Sequence, residues 1–232
     1  LSVASTCRSA GGKGISLHEL YSGTYSAIFA DAANETFMAY EGNHKIWVDV
    51  GDDTVWAGQG NDKSDGGRGN DSLYGEGGKG TLYGNDSLYG DAGADSLSGA
   101  DGRDWLFGDE GNDTLSGGEG ADTIRGGTGA DYITLWESSQ SRDMVIFKSG
   151  DSGKSATTID HLEGFESGID NIDLRSFDKM IFEDLDYRGG GKASCYFDGQ
   201  ALRIDGEGDA ITDMIIDFAY VDDLVKSDFL FA

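Results

Sequence analysis

From Gly90 to Thr134 five nine-residue units follow one another without a gap: GDAGADSLS, GADGRDWLF, GDEGNDTLS, GGEGADTIR and GGTGADYIT. Their shared template is Gly, Gly, any, Gly, any, Asp, any, apolar, any. A unit this short cannot bury its single apolar side chain alone, so it must stack on copies of itself. The first six positions are rich in Gly, which takes positive φ angles that other residues resist, so this part turns. The last three positions are extended, and the middle side chain points to one side. Turn, short strand, turn, short strand is a flattened coil with two units per circuit. The expected fold is therefore all-β, a coil of stacked short strands. Its core is the eighth-position row Leu73, Leu82, Leu88, Leu97, Leu106, Leu115, Ile124 and Ile133. Loops eighteen residues apart lie over each other on one edge.

The phase extends beyond the glycine-rich stretch. Counting back in nines from Gly66 puts Ser64, Val55, Ile46, Phe37 and Ile28 at eighth positions, four of the five apolar. The sixth positions decay along the same path: Asp62 and Asp53, then His44, Glu35 and Ser26. The coil is expected to begin near residue 21, with degenerate repeats over 21–47 and metal-binding repeats over 48–134. One unit breaks the rule. GEGGKG at 75–80 has Gly80 where Asp is expected, and TLYGNDSLY at 81–89 follows after six residues. This reads as a three-residue deletion that shortens one loop and weakens the partnerships of Gly80 with Asp62 and Asp95.

Nine units keep Gly at position four and Asp at position six: Asp53, Asp62, Asp71, Asp86, Asp95, Asp104, Asp113, Asp122 and Asp131. Pairing each with the second one along gives six cages: 53/71, 71/86, 86/104, 95/113, 104/122 and 113/131. Two carboxylates and several carbonyls make an all-oxygen cage of about six ligands, which suits Ca²⁺ better than Zn²⁺. Turn chemistry alone does not require Asp at the sixth position in loop after loop. Composition agrees: 43 Asp+Glu against 17 Lys+Arg give a net charge of −26, with 38 Gly and no Pro. Without cations the stacked carboxylates would repel one another. The coil is expected to be largely unfolded in their absence and to fold on binding about six Ca²⁺. The acidic excess excludes sequence-independent nucleic-acid binding. No apolar run approaches the roughly 20 residues of a membrane-spanning helix.

The nonads resemble the parallel β-roll of RTX, or haemolysin-type, proteins, which leave bacteria by the type I route. That resemblance implies a calcium held by the backbone oxygens of positions two and four plus the Asp of one loop. The rest of its shell would be positions one and three plus the Asp of the loop two units on. Carried over, one site uses Asp91, Gly93 and Asp95 with Gly108, Glu110 and Asp113. A second uses Ala100, Gly102 and Asp104 with Gly117, Glu119 and Asp122, and a third Asp109, Gly111 and Asp113 with Gly126, Thr128 and Asp131. The same transfer names Asp49, Gly51 and Asp53 with Gly66, Arg68 and Asp71; Gly58, Gly60 and Asp62; and Gly84 and Asp86 with Gly99, Asp101 and Asp104.

After residue 134 the composition changes. DMVIF (143–147), TTIDHLEGFESGIDNIDLRSF (157–177) and YFDGQALRID (196–205) read as strands, the last as a hairpin turning at Asp198-Gly199. This stretch, 135–232, resembles the C-terminal capping and secretion region of serralysin-type proteases. The ending Asp228-Phe229-Leu230-Phe231-Ala232 is similar to type I secretion termini, and also fits a buried last strand. The first residues show no cleavable export signal, and residues 1–20 are left as an unassigned cap or linker. Cys7 and Cys195 are either a disulfide or two isolated thiols. His18-Glu19 fails as a zinc-protease motif because Ser22 stands where the second His belongs, and no GxSxG occurs. The expectation is a non-catalytic calcium-binding domain of a secreted, extracellular protein. Its partners would be calcium, a type I exporter in passing, and a passenger that it caps or supports. The alternative is a standalone surface-layer, adhesin or glycan-binding protein, with Trp47, Trp56, Trp105 and Phe107 as a conceivable sugar-binding stripe.

Overall fold

The structure is a computed structural model that describes residues 5–8, 17–20, 25–29, 34–39, 42–48, 50–75, 85–153, 157–177, 181–182, 194–197, 200–205, 214–219, 221 and 224–230. Positions seven to nine of each unit are extended, as their alternation requires, and successive units place that extension on alternate faces of a coil. In chain order the strands are β1 (Ser5–Arg8), β2 (Leu17–Leu20), β3 (Tyr25–Phe29), β4 (Thr36–Ala39), β5 (Asn43–Trp47), β6 (Thr54–Trp56), β7 (Lys63–Asp65) and β8 (Ser72–Tyr74). Next come β9 (Ser87–Ala92), β10 (Ser96–Asp101), β11 (Trp105–Glu110), β12 (Thr114–Glu119), β13 (Thr123–Thr128), β14 (Tyr132–Thr134), β15 (Met144–Ile146), β16 (Asp160–Glu163) and β17 (Asn171–Asp173). The chain closes with β18 (Ile181–Phe182), β19 (Ser194–Phe197), β20 (Ala201–Asp205), β21 (Met214–Ala219) and β22 (Phe229–Leu230).

Odd-numbered strands β1 to β17, then β22, form the first sheet; β2 to β16 in even numbers, then β21, β20, β19 and β18, form the second. Pairing is parallel throughout the coil, and antiparallel only where β20 joins β19 and β21. The sheets continue past residue 134: β15 pairs with β13, and β16 with β14. The hairpin expected at 196–205 is present as β19 and β20, while its turn residues Asp198 and Gly199 lie outside the described residues.

The interior is narrow. Phe37, Ile46, Val55, Leu73, Leu88, Leu97, Leu106, Leu115, Ile124 and Ile133 are at most 1% exposed, so the eighth-position row is the core as expected. Ser64 is buried in the same row, and Leu82 lies outside the described residues. Val145, Leu162 and Ile172 carry the row onward. A second buried row comes from position one. It is apolar at Ala39, Val48 and Ala57, glycine through the regular repeats, and apolar again at Leu135, Phe147 and Leu174.

The register corrects the reading of residues 75–89. Lys63 pairs with Ser87, and Ser72 with Ser96, each 24 residues apart where neighbouring circuits take 18. The irregular stretch is a six-residue insertion into one loop, 75–86, and not a three-residue deletion. The reason is topological: the coil must return to the first sheet in phase, so the surplus is taken up between β8 and β9. Cys7 and Cys195 are also separated by topology. β1 begins the first sheet and β19 lies at the far end of the second. With strands about 4.8 Å apart the gap is on the order of 40 Å, beyond the reach of a disulfide.

Candidate calcium ladder

Each circuit has two loops. On the first edge, running from first to second sheet, the sixth positions are Glu35, Asp53, Asp71, Asp95, Asp113 and Asp131. On the second edge they are His44, Asp62, Asp86, Asp104 and Asp122. Strand pairing sets the loops over one another, and each sixth-position carboxylate reaches back one rung. Asp53 N–H donates to Asp71 Oδ1, Asp71 to Asp95, Asp95 to Asp113 and Asp113 to Asp131, at 2.7–2.9 Å. On the other edge Asp62 N–H donates to Asp86, Asp86 to Asp104 and Asp104 to Asp122, at 2.7–2.8 Å. Asp71 and Asp86 stand on opposite edges, so the expected 71/86 cage is replaced by 71/95 and 62/86. The other five expected pairs are neighbours on one edge.

The ladder runs further than the repeats. Asp122 N–H donates to Asp143 Oδ1, Asp131 N–H to Asp160 Oδ1 and Asp143 N–H to Asp170 Oδ1. Sequence reasoning missed these three residues because the loops before Asp143 and Asp160 lack glycine at the template positions and the loop before Asp170 keeps only Gly168, at position four. A signal was available: Asp143-Met-Val, Asp160-His-Leu and Asp170-Asn-Ile repeat the Asp-any-apolar step of the nonads. A second ladder was missed too. Asn and Asp side chains at position five reach forward instead of back: Asn43 Oδ1 accepts from Asn61 N–H, Asn61 from Asn85, Asn70 from Ala94 and Asn85 from Arg103. The two ladders run in opposite directions, so a loop that takes part in both is clamped from both sides.

The second carboxylate oxygen decides what the loops can hold. Oδ2 of Asp62, Asp71, Asp95, Asp104, Asp113, Asp122 and Asp131 is buried with no hydrogen-bond partner. Glycine at position one makes its space: a Cβ on Gly99 would lie 2.5 Å from Asp104 Oδ2 and 2.7 Å from Gly117 O, and one on Gly117 would lie 2.5 Å from Asp122 Oδ2. Gly66, Gly108 and Gly126 stand in the same relation to Asp71, Asp113 and Asp131. Removal from water pushes these carboxyls up, to about 7 for Asp71, Asp95, Asp104, Asp122 and Asp131, about 8 for Asp86 and about 6 for Asp113. For Asp86 the charges of Asp62 and Asp104 add to the rise, while the N–H donated from Asp62 opposes it. Buried, unpartnered carboxylate oxygens are costly unless a cation meets them, so the residues present fit a hard divalent ion.

The carbonyl donors implied by the resemblance lie in the same loops. Asp91, Ala100 and Asp109 at position two have φ of 68°, 73° and 72°, a left-handed corner, and Gly58 has 87°. At position four Gly51, Gly93 and Gly111 have positive φ on the first edge and Gly60 on the second, where Gly102 lies against Gly120 of the next rung. The position-three carbonyls of Arg68, Glu110, Glu119 and Thr128 each accept an N–H from Gly51, Gly93, Gly102 and Gly111, which leaves one lone pair on each oxygen. Asp101 closes β10 at the same position. Glu119 does more than lend a carbonyl: its carboxylate accepts hydrogen bonds from the side chain and N–H of Ser138 and from those of Ser139, which hold it down at about 2. Asp49 and Gly84 lie outside the described residues. Among the described residues no three His, Cys, Asp or Glu side chains converge, so a cage here draws most of its oxygens from the backbone.

The aromatic residues pack on one another. Phe29 stacks on Trp47 at 4.9 Å, Trp56 on Tyr74 at 5.6 Å and Tyr89 on Phe107 at 5.1 Å, each pair on neighbouring rungs. Each stacked pair covers one face of each ring, while Trp105 is tilted against Phe107 at 6.1 Å and stays 46% exposed.

A family model for the RTX calcium-binding nonapeptide repeat matches four times, over residues 29–64, 58–85, 80–115 and 107–136. No curated protein matches the chain. Among solved structures, the solution structure of the AlgE6R3 subunit from the Azotobacter vinelandii mannuronan C5-epimerase is 26% identical, with 75% of this chain and 80% of that chain covered, at a TM-score of 0.28.

Proposed function

We propose, from the premise that residues 29–136 are RTX calcium-binding nonapeptide repeats, that the chain is a calcium-folded module of a secreted extracellular protein. RTX repeats bind Ca²⁺ and occur in secreted proteins. The observation that carries the reading is the pair of carboxylate ladders, in which the second oxygens of Asp62, Asp71, Asp95, Asp104, Asp113, Asp122 and Asp131 are buried and unpartnered. Calcium takes six to eight oxygens at about 2.3–2.6 Å in flexible geometry. Bound between rungs it would supply the positive charge that lets those carboxylates ionise inside the coil. Counting units predicts about six ions; the register pairs seven sets of carboxylates within the repeats, 53/71, 71/95, 95/113 and 113/131 on one edge and 62/86, 86/104 and 104/122 on the other.

In this reading the chain stays unfolded where calcium is scarce and threads a type I exporter. It folds outside on meeting calcium, and supports a passenger without catalysing a reaction. Residues 135–232 act as the capping and secretion region, and 1–20, whose strands β1 and β2 pair in parallel with β3 and β4, as a terminal cap. No helix among the described residues is long and apolar enough to cross a membrane. The test is circular dichroism of the chelated chain before and after millimolar Ca²⁺. A β-rich spectrum should appear on addition and vanish with excess chelator, and a spectrum indifferent to calcium would end the proposal.

A further inference from the structure

The buried carboxylates beyond the repeats differ in one respect that separates scaffolding from metal binding. Asp228 is fully buried and its oxygens accept from Gly168 N–H, Ser167 Oγ and Val225 N–H, each at 2.8 Å. Asp170 accepts from Asp143 N–H on one oxygen and Glu166 N–H on the other. Asp151 is held by Arg125 through Nε at 3.0 Å and the guanidinium NH2 group at 2.8 Å, and accepts Lys148 N–H besides. Asp160, 1% exposed, accepts Asp131 N–H at 2.9 Å on Oδ1 only. Among the described residues after 134, its Oδ2 is the one buried side-chain oxygen with no hydrogen-bond partner. The rung below it, Asp131, is 2% exposed and carries the same kind of oxygen.

We infer that a divalent cation of the calcium class binds between the rungs of Asp131 and Asp160, ligated by their carboxylates. This rests on the calcium reading of the repeats and extends it one rung past the last nonad, to a residue outside the stretch matched by the repeat family. Two negative oxygens on adjacent rungs, each without a donor, need a cation more than a hydrogen bond. Arg125 does not supply it, because its guanidinium is committed to Asp151 and, at 3.4 Å, to Asp109.

The position gives the ion a role of its own. Asp160 N–H donates to Ser152 Oγ at 2.8 Å, and Ser152 Oγ donates to Ile215 O at 2.5 Å. Asp160 also opens β16, which pairs with β14 of the roll on one side and β21 on the other. A cation here ties the repeat array to the C-terminal strands, so that calcium orders both together.

The experiment is an ion count on the full chain by native mass spectrometry in excess Ca²⁺, for wild type, Asp160→Asn and Asp228→Asn. Asparagine keeps an acceptor for Asp131 N–H but removes the charge. Asp160→Asn should carry one ion fewer than wild type, and Asp228→Asn the same number as wild type. An unchanged count in Asp160→Asn overturns the site while leaving the repeat ladder intact. A wild-type chain that binds no calcium overturns the parent reading as well. Should Asp160→Asn fail to fold, anomalous diffraction from wild-type crystals grown with calcium decides. A peak within about 2.3–2.6 Å of both carboxylates supports the site, and peaks confined to the rungs below Asp131 overturn it.

Discussion

At the scale of the residue, one side chain does two jobs with its two oxygens. Asp104 Oδ1 takes the N–H of Asp86, while Oδ2 is left for a cation. Substitution can separate the jobs. Asp104→Asn keeps an acceptor, whereas Asp104→Ala also strands a buried N–H, which costs about 1–3 kcal/mol. Each variant disables two cages, 86/104 and 104/122. In a calcium titration followed by circular dichroism, the folding midpoint should rise from wild type to Asp104→Asn and again to Asp104→Ala. Identical midpoints for the two variants would show that Oδ1 contributes nothing. The raised carboxyls also set a pH dependence for the metal-free chain. Their folded values of about 6 to 8 lie above the ordinary carboxylate range near 4. Their protonated forms therefore favour the fold below pH about 4, and that contribution is lost as pH rises through 6 to 8. In chelator, β-structure should be greatest near pH 4 and absent at pH 8. A chelated chain that gains structure with rising pH would contradict this sign.

At the scale of the element, the unit is a strand with a corner, and the corner tolerates length. β9 through β13 run six residues each and bend at position two, where φ is positive even at Asp91, Ala100 and Asp109. The extra six residues within 75–86 leave the rungs on either side in register, as the pairing of β7 with β9 and of β8 with β10 shows. Deleting residues 78–83 would rebuild GEGGNDSLY, a regular unit. Doubling a loop costs only about 0.6 kcal/mol in closure entropy. The shortened protein should therefore melt in saturating calcium within a few degrees of wild type, on the high side. A collapse of the melting temperature would mean that Thr81, Leu82 and Tyr83 form a rung the coil needs.

At the scale of the whole molecule, both sheets and both ladders pass through residue 134 without a break. β15 and β16 cover β13 and β14, and the core row continues through Val145, Leu162 and Ile172 to Phe229. Truncation after residue 134 would bare Ile124 and Ile133 at the open end and strip Asp122 and Asp131 of their upper carboxylates. A coil one residue deep has little other burial to offset that loss. The truncated chain is expected to lose calcium-driven folding, read by circular dichroism and by protease resistance. Cooperative folding of residues 1–134 alone would remove the capping role from 135–232.

The sequence by itself determined the period, the buried eighth-position row, the sixth-position Asp and the need for glycine in the loops. These are local: a nine-residue unit with one apolar side chain and one turn has few ways to stack, so Leu97, Leu106 and Leu115 could be placed without knowing what lay beyond them. Only the tertiary structure decided which aspartates face each other. Asp71 meets Asp95 and not Asp86 because parallel pairing joins strands through loops of any length, and the 75–86 loop holds chain that the count could not assign. It also decided that Asp143, Asp160 and Asp170 continue the ladder, since a carboxylate's place on an edge follows from strand pairing and not from the glycines around it. The orientation of each Oδ2 into space left by glycine belongs to the same class. It exists only once a loop lies on the one below it.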